Sequence, residues 1–329
     1  MITKARWVIG ICLIGIVDLD AIGVRAISAP PPQAAKAGYI MNTFKSNFST
    51  SNIDFSGRKL PGYSWYQRNW MHGEPRKQLV AVDNSESVIT MRGDKAVGGF
   101  PLSTIAVTKA NKKANFVGIA FGGGGYFEAE LAFDPEEVRH SDPSNGWPAF
   151  WSLAVENITG KGDDQWQGRP IGYAHFIEAD FFEYGLSFDG KPTNQYGATM
   201  HDWYGYNKLS CHQPNNYCDF HLPESAVTAK TPDGTDFSHY HRYGFLWVPA
   251  THEHVGYSQA YFDDLAVGNH TNWQKMPAAA LDTPANQSWA FSIIDRQHLA
   301  LILETGLNQT MKVKSVNVWQ TTDANNIRH

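Results

Sequence analysis

Three acids in the segment HFIEADFFEYG, residues 175–185, are the side chains whose chemistry most needs an explanation. Glu178, Asp180 and Glu183 stand among Phe176, Ile177, Phe181 and Phe182, residues that fill a β-strand core. Desolvating an ionised carboxylate costs several kcal/mol unless it is paired or hydrogen-bonded, so a core strand seldom carries three without a use for them. In a strand of period two, Glu178 and Asp180 share a face, while Glu183 is out of phase by one residue. A β-bulge at Phe181 and Phe182 inserts the extra residue that brings Glu183 back to the face of the other two.

A row of this kind suits glycoside hydrolysis, in which one carboxylate attacks the anomeric carbon and a second acid protonates the leaving oxygen. A third carboxylate between them would hold a proton and spread their pKa values. A retaining mechanism needs the working carboxyls about 5 to 5.5 Å apart. Four pleat steps span roughly 13 Å of strand, so a curved strand and long side chains leaning together have to close the distance.

The elements that must position these acids read as strands. Residues 127–133, 147–153, 176–183, 243–248, 288–294 and 313–319 carry strand signals, and 127–133 alternates as though one face were wet. No helix of convincing amphipathic period appears, apart from short turns such as 134–140. Strands separated by turn-rich loops predict an all-β fold, an antiparallel two-sheet jelly-roll sandwich. The glycines at 122–125 lack a Lys-Ser/Thr ending and a following helix, so they read as a turn or bulge and not as a phosphate loop.

The 329 residues are 13% aromatic and 18% charged with 29 glycines, a composition of many strands and tight turns and not of a disordered chain. A net charge of −5 gives no electrostatic case for nucleic acid and fits a neutral polymer better than a polyanion. Residues 1–29 read as a secretion signal, with Lys4 and Arg6 before an apolar run at 7–17 that is too short to span a bilayer. A Pro-rich linker at 30–40, a single domain at 41–320 and a tail at 321–329 are expected to follow, in a secreted monomer with no membrane contact once the signal is removed. Cys12 would leave with the signal. Cys211 and Cys218, seven apart in an exported chain, are expected to form a disulfide, with two reduced thiols as the alternative.

Several segments together resemble glycoside hydrolase family 16: GYFEAEL at 125–131, GWPAFWSL at 146–153, HFIEADFFE at 175–183, ATMHDWYG at 198–205, HRYGFLW at 241–247 and VKSVNVWQ at 313–320. The bulged E-x-D-x-x-E pattern is the most specific of them. The resemblance implies a curved jelly roll with a carbohydrate cleft on its concave face. It also implies Glu178 as nucleophile, Asp180 as the residue shaping its protonation and Glu183 as general acid/base. The expected activity is that of a retaining endo-glycosidase on a β-linked polysaccharide, and GWPAFW inclines the substrate toward a β-1,3-containing glucan. A galactan hydrolase, a transglycosylase and a non-catalytic carbohydrate-binding protein remain open alternatives.

Flat pyranose faces stack on aromatic rings, which makes Trp147, Trp151, Trp203 and Trp166 candidate sugar platforms. His201 stands where it could hydrogen-bond substrate or orient a carboxylate; a purely structural histidine is the alternative. His252 and His254 would share a strand face as a metal pair but lack a third ligand, and no metal or other cofactor is expected to be required. Asp263 and Asp264 are expected to close a hairpin, with a structural Ca²⁺ on the convex side admitted by family habit alone. Sequons at Asn47, Asn157, Asn269, Asn286 and Asn308 matter only in a host that glycosylates them.

Overall fold

A computed structural model describes residues 29–67, 77–93, 102–108, 115–140, 146–159, 173–185, 190–206, 218–220, 226–277 and 287–329. Residues 1–28 of the expected 1–29 signal, Trp166 and Cys211 lie outside these residues, and for Cys218 only the backbone is described.

Period-two burial organises the chain into two large sheets. One has eight strands among the described residues, in the order Leu265–Trp273, Gly256–Phe262, His241–Val248, Gly125–Phe133, Thr310–Gln320, Val88–Arg92 and Val80–Asp83, with Met41–Ser46 also paired to Thr310–Gln320. The other has nine, in the order Cys218–Phe220, Gln195–Tyr206, Tyr173–Glu183, Ala149–Ala154, Leu299–Glu304, Leu102–Ser103, Trp65–Tyr66 and Ile53–Asp54, with Ala226–Lys230 added on Gln195–Tyr206. Pairing is antiparallel throughout these sheets except between Ile53–Asp54 and Trp65–Tyr66. The result is the expected jelly-roll sandwich. Among the described residues no helix is long and apolar enough to cross a membrane.

The two inner faces meet through rings. Phe181 stacks between Phe127 (5.1 Å) and Phe245 (4.7 Å) and meets Phe150 edge-on at 5.0 Å. Phe182 lies 4.2 Å from Tyr243 and 5.3 Å from Tyr196. Both phenylalanines are fully buried, though they are consecutive in one strand. An unbroken pleat would turn one of them to the outer face, forgoing roughly 1.5 to 3 kcal/mol of burial. The strand bulges instead. Opposite Ala149–Ala154, Phe150 pairs with Phe182 and Trp151 with Asp180, leaving Phe181 as the extra residue. The pairing with Gln195–Tyr206 shifts over the same stretch, between Ala179 and Glu183.

Several expectations are refined. Residues 288–294 are not a strand: Phe291 takes a left-handed conformation (φ 68°) and leads into the 3₁₀ helix Ser292–Arg296. The backbone N–H of Phe291 donates to Asp202 at 3.1 Å, so a turn under the sheet buries the apolar run that a ladder was expected to bury. The strand Gly125–Phe133 has no wet face at Glu128, which is buried and accepts a 3.3 Å bond from the Tyr126 hydroxyl. That cover comes from the 30–40 stretch, which carries the helix Pro32–Lys36, buries Ala34 and Tyr39, and bonds the Tyr126 hydroxyl through Gln33. Residues 321–329 contribute the strand Ile327–Arg328, paired to Phe116–Ala120. The glycine run is a turn, with Gly123 and Gly124 at positive φ and the Gln320 amide donating to the carbonyls of Gly122 and Gly124. The helical turn at 134–140 is Pro135–Arg139, capped by Asp134.

Candidate active site

With Phe181 as the extra residue, Ala179, Phe181 and Phe182 face the core and Glu178, Asp180 and Glu183 face outward together. Neighbouring segments of chain bring aromatic N–H groups to them. Trp203 Nε1 donates to Glu178 Oε2 at 3.0 Å, and Trp147 Nε1 donates to Glu183 Oε1 at 2.9 Å. His201, directly opposite Glu178 in the pairing, sets Nε2 3.0 Å from Asp180 Oδ2. Its ring stacks with Trp203, centroids 6.0 Å apart, and Trp203 stacks in turn on Phe176 at 6.2 Å. Trp147 is exposed at the rim and Trp151, only 9% exposed, lies on the floor.

The gap between the outer two glutamates closes through the middle acid. Ligand atoms of Glu178, Asp180 and His201 lie within 4.8 Å of one another, and the Asp180 carboxyl is near enough to Glu183 to favour its ionised form. The middle acid thus adjoins both glutamates on this face.

Clustering carboxylates on a packed surface costs charge. The glutamate side chains are partly open along this face, while protein packed around their carboxyl ends strips much of their hydration. Burial first, and then the charge of Asp180, push Glu178 up to about 8, against the favourable effects of His201 and the Trp203 N–H. Burial raises Glu183 as well, opposed by the Trp147 bond, His201 and Asp180. The unliganded site thus holds protons into the neutral range, as a general acid requires.

A fourth carboxylate, absent from the sequence expectations, belongs to the same face. Glu304 ends the strand Leu299–Glu304 and accepts a 3.1 Å bond from Trp151 Nε1. Burial, together with the charge of Glu183, raises it to about 7 against that bond. Each glutamate of the site is therefore held by one indole N–H, a pattern of hydrogen bonds that fixes carboxyl orientation without adding a competing cation. The segment LILETG around Glu304 carries no motif, and only its cross-strand register identifies it.

The structure brings Glu178, Asp180, Glu183, Trp147, Trp151, His201 and Trp203 together and leaves other sequence candidates elsewhere. His252 and His254 lie in an exposed bend and not on a strand face, so the suggested metal pair does not form there. Asp263 and Asp264 do close the hairpin between Gly256–Phe262 and Leu265–Trp273, both at positive φ. Asp263 is taken by His241 Nδ1 (2.7 Å) and the Arg242 backbone N–H (2.8 Å), and Asp264 by the Arg242 guanidinium and the Gln33 amide. Carboxylates engaged by donors in this way do not fit the oxygen cage that Ca²⁺ needs. Glu178, Asp180 and His201 are the one group among the described residues with metal-ligating atoms so close together, though the Trp203 N–H already occupies one Glu178 oxygen.

No family model matches this chain, and no curated protein is significantly similar to it. Among solved structures, it is similar to an endo-1,3-β-glucanase from Streptomyces sioyaensis at 16% identity, covering 88% of this chain and 97% of that one with a TM-score of 0.43. It is also similar to the alginate lyase vAL-1 from Chlorella virus (11% identity, 73% and 88% covered, TM-score 0.35) and to winged bean acidic lectin (8% identity, 84% and 96% covered, TM-score 0.35). Likeness at this level carries no statement about activity.

Proposed function

We propose that the protein is a secreted, retaining endo-glycosidase of the family 16 type that hydrolyses a β-linked polysaccharide, with a β-1,3-containing glucan as the first substrate to try. The observation that carries the reading is the Phe181 bulge, which aligns Glu178, Asp180 and Glu183 on one face, with ring N–H donors on both glutamates. Glu178 attacks the anomeric carbon to form a glycosyl-enzyme, and Glu183 gives its proton to the departing sugar oxygen. Glu183, now ionised, takes a proton from water as that water attacks the intermediate, which frees Glu178 and restores the acid. Asp180 lies between them in the motif, 3.0 Å from His201 and near enough to Glu183 to influence its ionisation, where it passes the effect of each protonation change along the row. The productive free form has Glu178 ionised and Glu183 protonated.

Incubation with a panel of β-glucans and galactans, with reducing ends measured, tests the proposal. Release from at least one polymer, abolished in Glu178→Gln with folding and ligand binding kept, is expected. A sugar-binding protein without hydrolysis is the second reading, favoured by the exposed Trp147 indole at the rim. Binding with no reducing ends from any polymer would select it.

A further inference from the structure

One imidazole and two carboxylates converge on the outer face of two adjacent strands. His201 Nε2 lies 3.0 Å from Asp180 Oδ2, and one ligating atom from each of Glu178, Asp180 and His201 lies within 4.8 Å of the other two. His201 is the cross-strand partner of Glu178, and Asp180 follows Glu178 on the same face. Beneath them the paired residues Ala179 and Met200 are buried in the core, which fixes the backbone that carries all three. Stacking on Trp203 holds the imidazole plane, and the Trp203 N–H orients the Glu178 carboxyl by one oxygen and leaves the other to a ligand.

A nitrogen and an oxygen 3.0 Å apart match a hydrogen bond. They equally match two ligands at right angles, each about 2.1 Å from an octahedral metal. Glu178 turns the pair into a metal set, because its terminal torsion is soft and a small rotation brings an oxygen into a third position. Glu178 and His201 are partly exposed along the cleft, so the remaining positions are open to water. A donor set that includes imidazole suits a first-row transition ion, whereas Ca²⁺ and Mg²⁺ prefer oxygen ligands alone. We infer that Glu178, Asp180 and His201 form an inhibitory site for a divalent transition-metal ion, which binds the sugar-free cleft in octahedral geometry and occupies the nucleophile. The inhibition rests on the reading of Glu178 as nucleophile; the binding does not. An ion bonded to Glu178 takes up the electron pair that would attack the anomeric carbon and fills the space that the sugar needs.

Protein stripped with EDTA and dialysed is titrated with Co²⁺ alone, followed by calorimetry and by visible absorption. One Co²⁺ per chain is expected, with the weak bands of an octahedral ion and no displacement by equimolar Mg²⁺ or Ca²⁺. His201→Ala and Glu178→Gln are each expected to weaken binding by at least about tenfold, whereas His252→Ala, in the exposed bend, leaves it unchanged. Asp180→Asn replaces either variant if circular dichroism shows that it does not fold. No binding by the wild type, or equal binding by the folded His201→Ala and Glu178→Gln proteins, overturns the inference. On whichever polymer is hydrolysed, Co²⁺ is expected to inhibit competitively and EDTA to restore the rate. Hydrolysis that Co²⁺ leaves unchanged overturns the inhibition and leaves the glycosidase reading standing. Co²⁺ binding that is lost in His201→Ala, in a protein that hydrolyses no polymer, supports the metal site and overturns the glycosidase reading.

Discussion

Replacing Trp203 by phenylalanine removes one hydrogen bond from the nucleophile and little else. The indole N–H lies 3.0 Å from Glu178 Oε2, while the ring face stacks on Phe176 at an interplanar angle of 13°, a contact phenylalanine can keep in part. A hydrogen bond to a charged group contributes about 1.5 to 3 kcal/mol, and the partial solvent access of Glu178 places this one at the lower end. At about 1.4 kcal/mol the change corresponds to roughly one pKa unit. The bond favours the ionised form, so its loss raises the Glu178 pKa further above its present value of about 8. Attack requires ionised Glu178. The acidic limb of kcat/KM should therefore move to higher pH by about one unit, with activity falling roughly tenfold on the acid side and recovering at alkaline pH up to the point where Glu183 loses its proton. The assay is reducing-end release across a pH series, with circular dichroism confirming the fold at each pH. A limb that stays in place or moves to lower pH would refute the electrostatic argument, and a uniform loss at every pH would assign Trp203 to sugar binding alone.

Glu183→Gln should lower kcat on polysaccharide by about 10² to 10⁴-fold but lower glycosyl-enzyme formation far less with an aryl glycoside whose leaving group needs no proton, as followed by the burst of released phenol. Glu128, buried on the other sheet and raised from 4.5 to about 7 by burial, makes stability pH-dependent. Its folded pKa lies above its unfolded one, so its contribution is fully present below about pH 4.5 and is lost as pH rises through about 7. Glu128→Gln should accordingly raise Tm by a few degrees at pH 8, for about 1 to 2 kcal/mol, and change it little at pH 4.5, as read by scanning calorimetry at both pH values. Phe182→Ala should cost about 3 to 5 kcal/mol in urea unfolding, because the ring is fully buried with its centroid 4.2 Å from that of Tyr243.

The site was legible where chemistry and periodicity conflict within a few residues. Two adjacent phenylalanines among three acids could all be satisfied only by a bulge, and Trp147, Trp151, His201 and Trp203 were readable as flanking aromatics near the catalytic strand. What the aromatics do was less legible: three were expected as sugar platforms, and each is also the hydrogen-bond donor of a particular glutamate. Glu304 could not be found, because its relation to Glu183 exists only through the register of two strands against Ala149. Glu128 was misjudged for a similar reason. The alternation around it is that of a half-exposed strand, and its cover, the helix Pro32–Lys36, lies nearly a hundred residues away in sequence. At 288–294 apolar composition alone did not distinguish a strand from a buried turn, and the left-handed Phe291 decided for the turn.

In the proposed mechanism Glu178 becomes covalently bonded to sugar. Incubation with a 2-deoxy-2-fluoro glycoside bearing a good leaving group, built on the oligosaccharide of whichever polymer is hydrolysed, followed by intact-mass measurement and peptide mapping, tests it most directly. One added glycosyl mass is expected, carried by the peptide containing Glu178 and absent from Glu178→Gln. Steady hydrolysis with no adduct, or an adduct on any other residue, would contradict it.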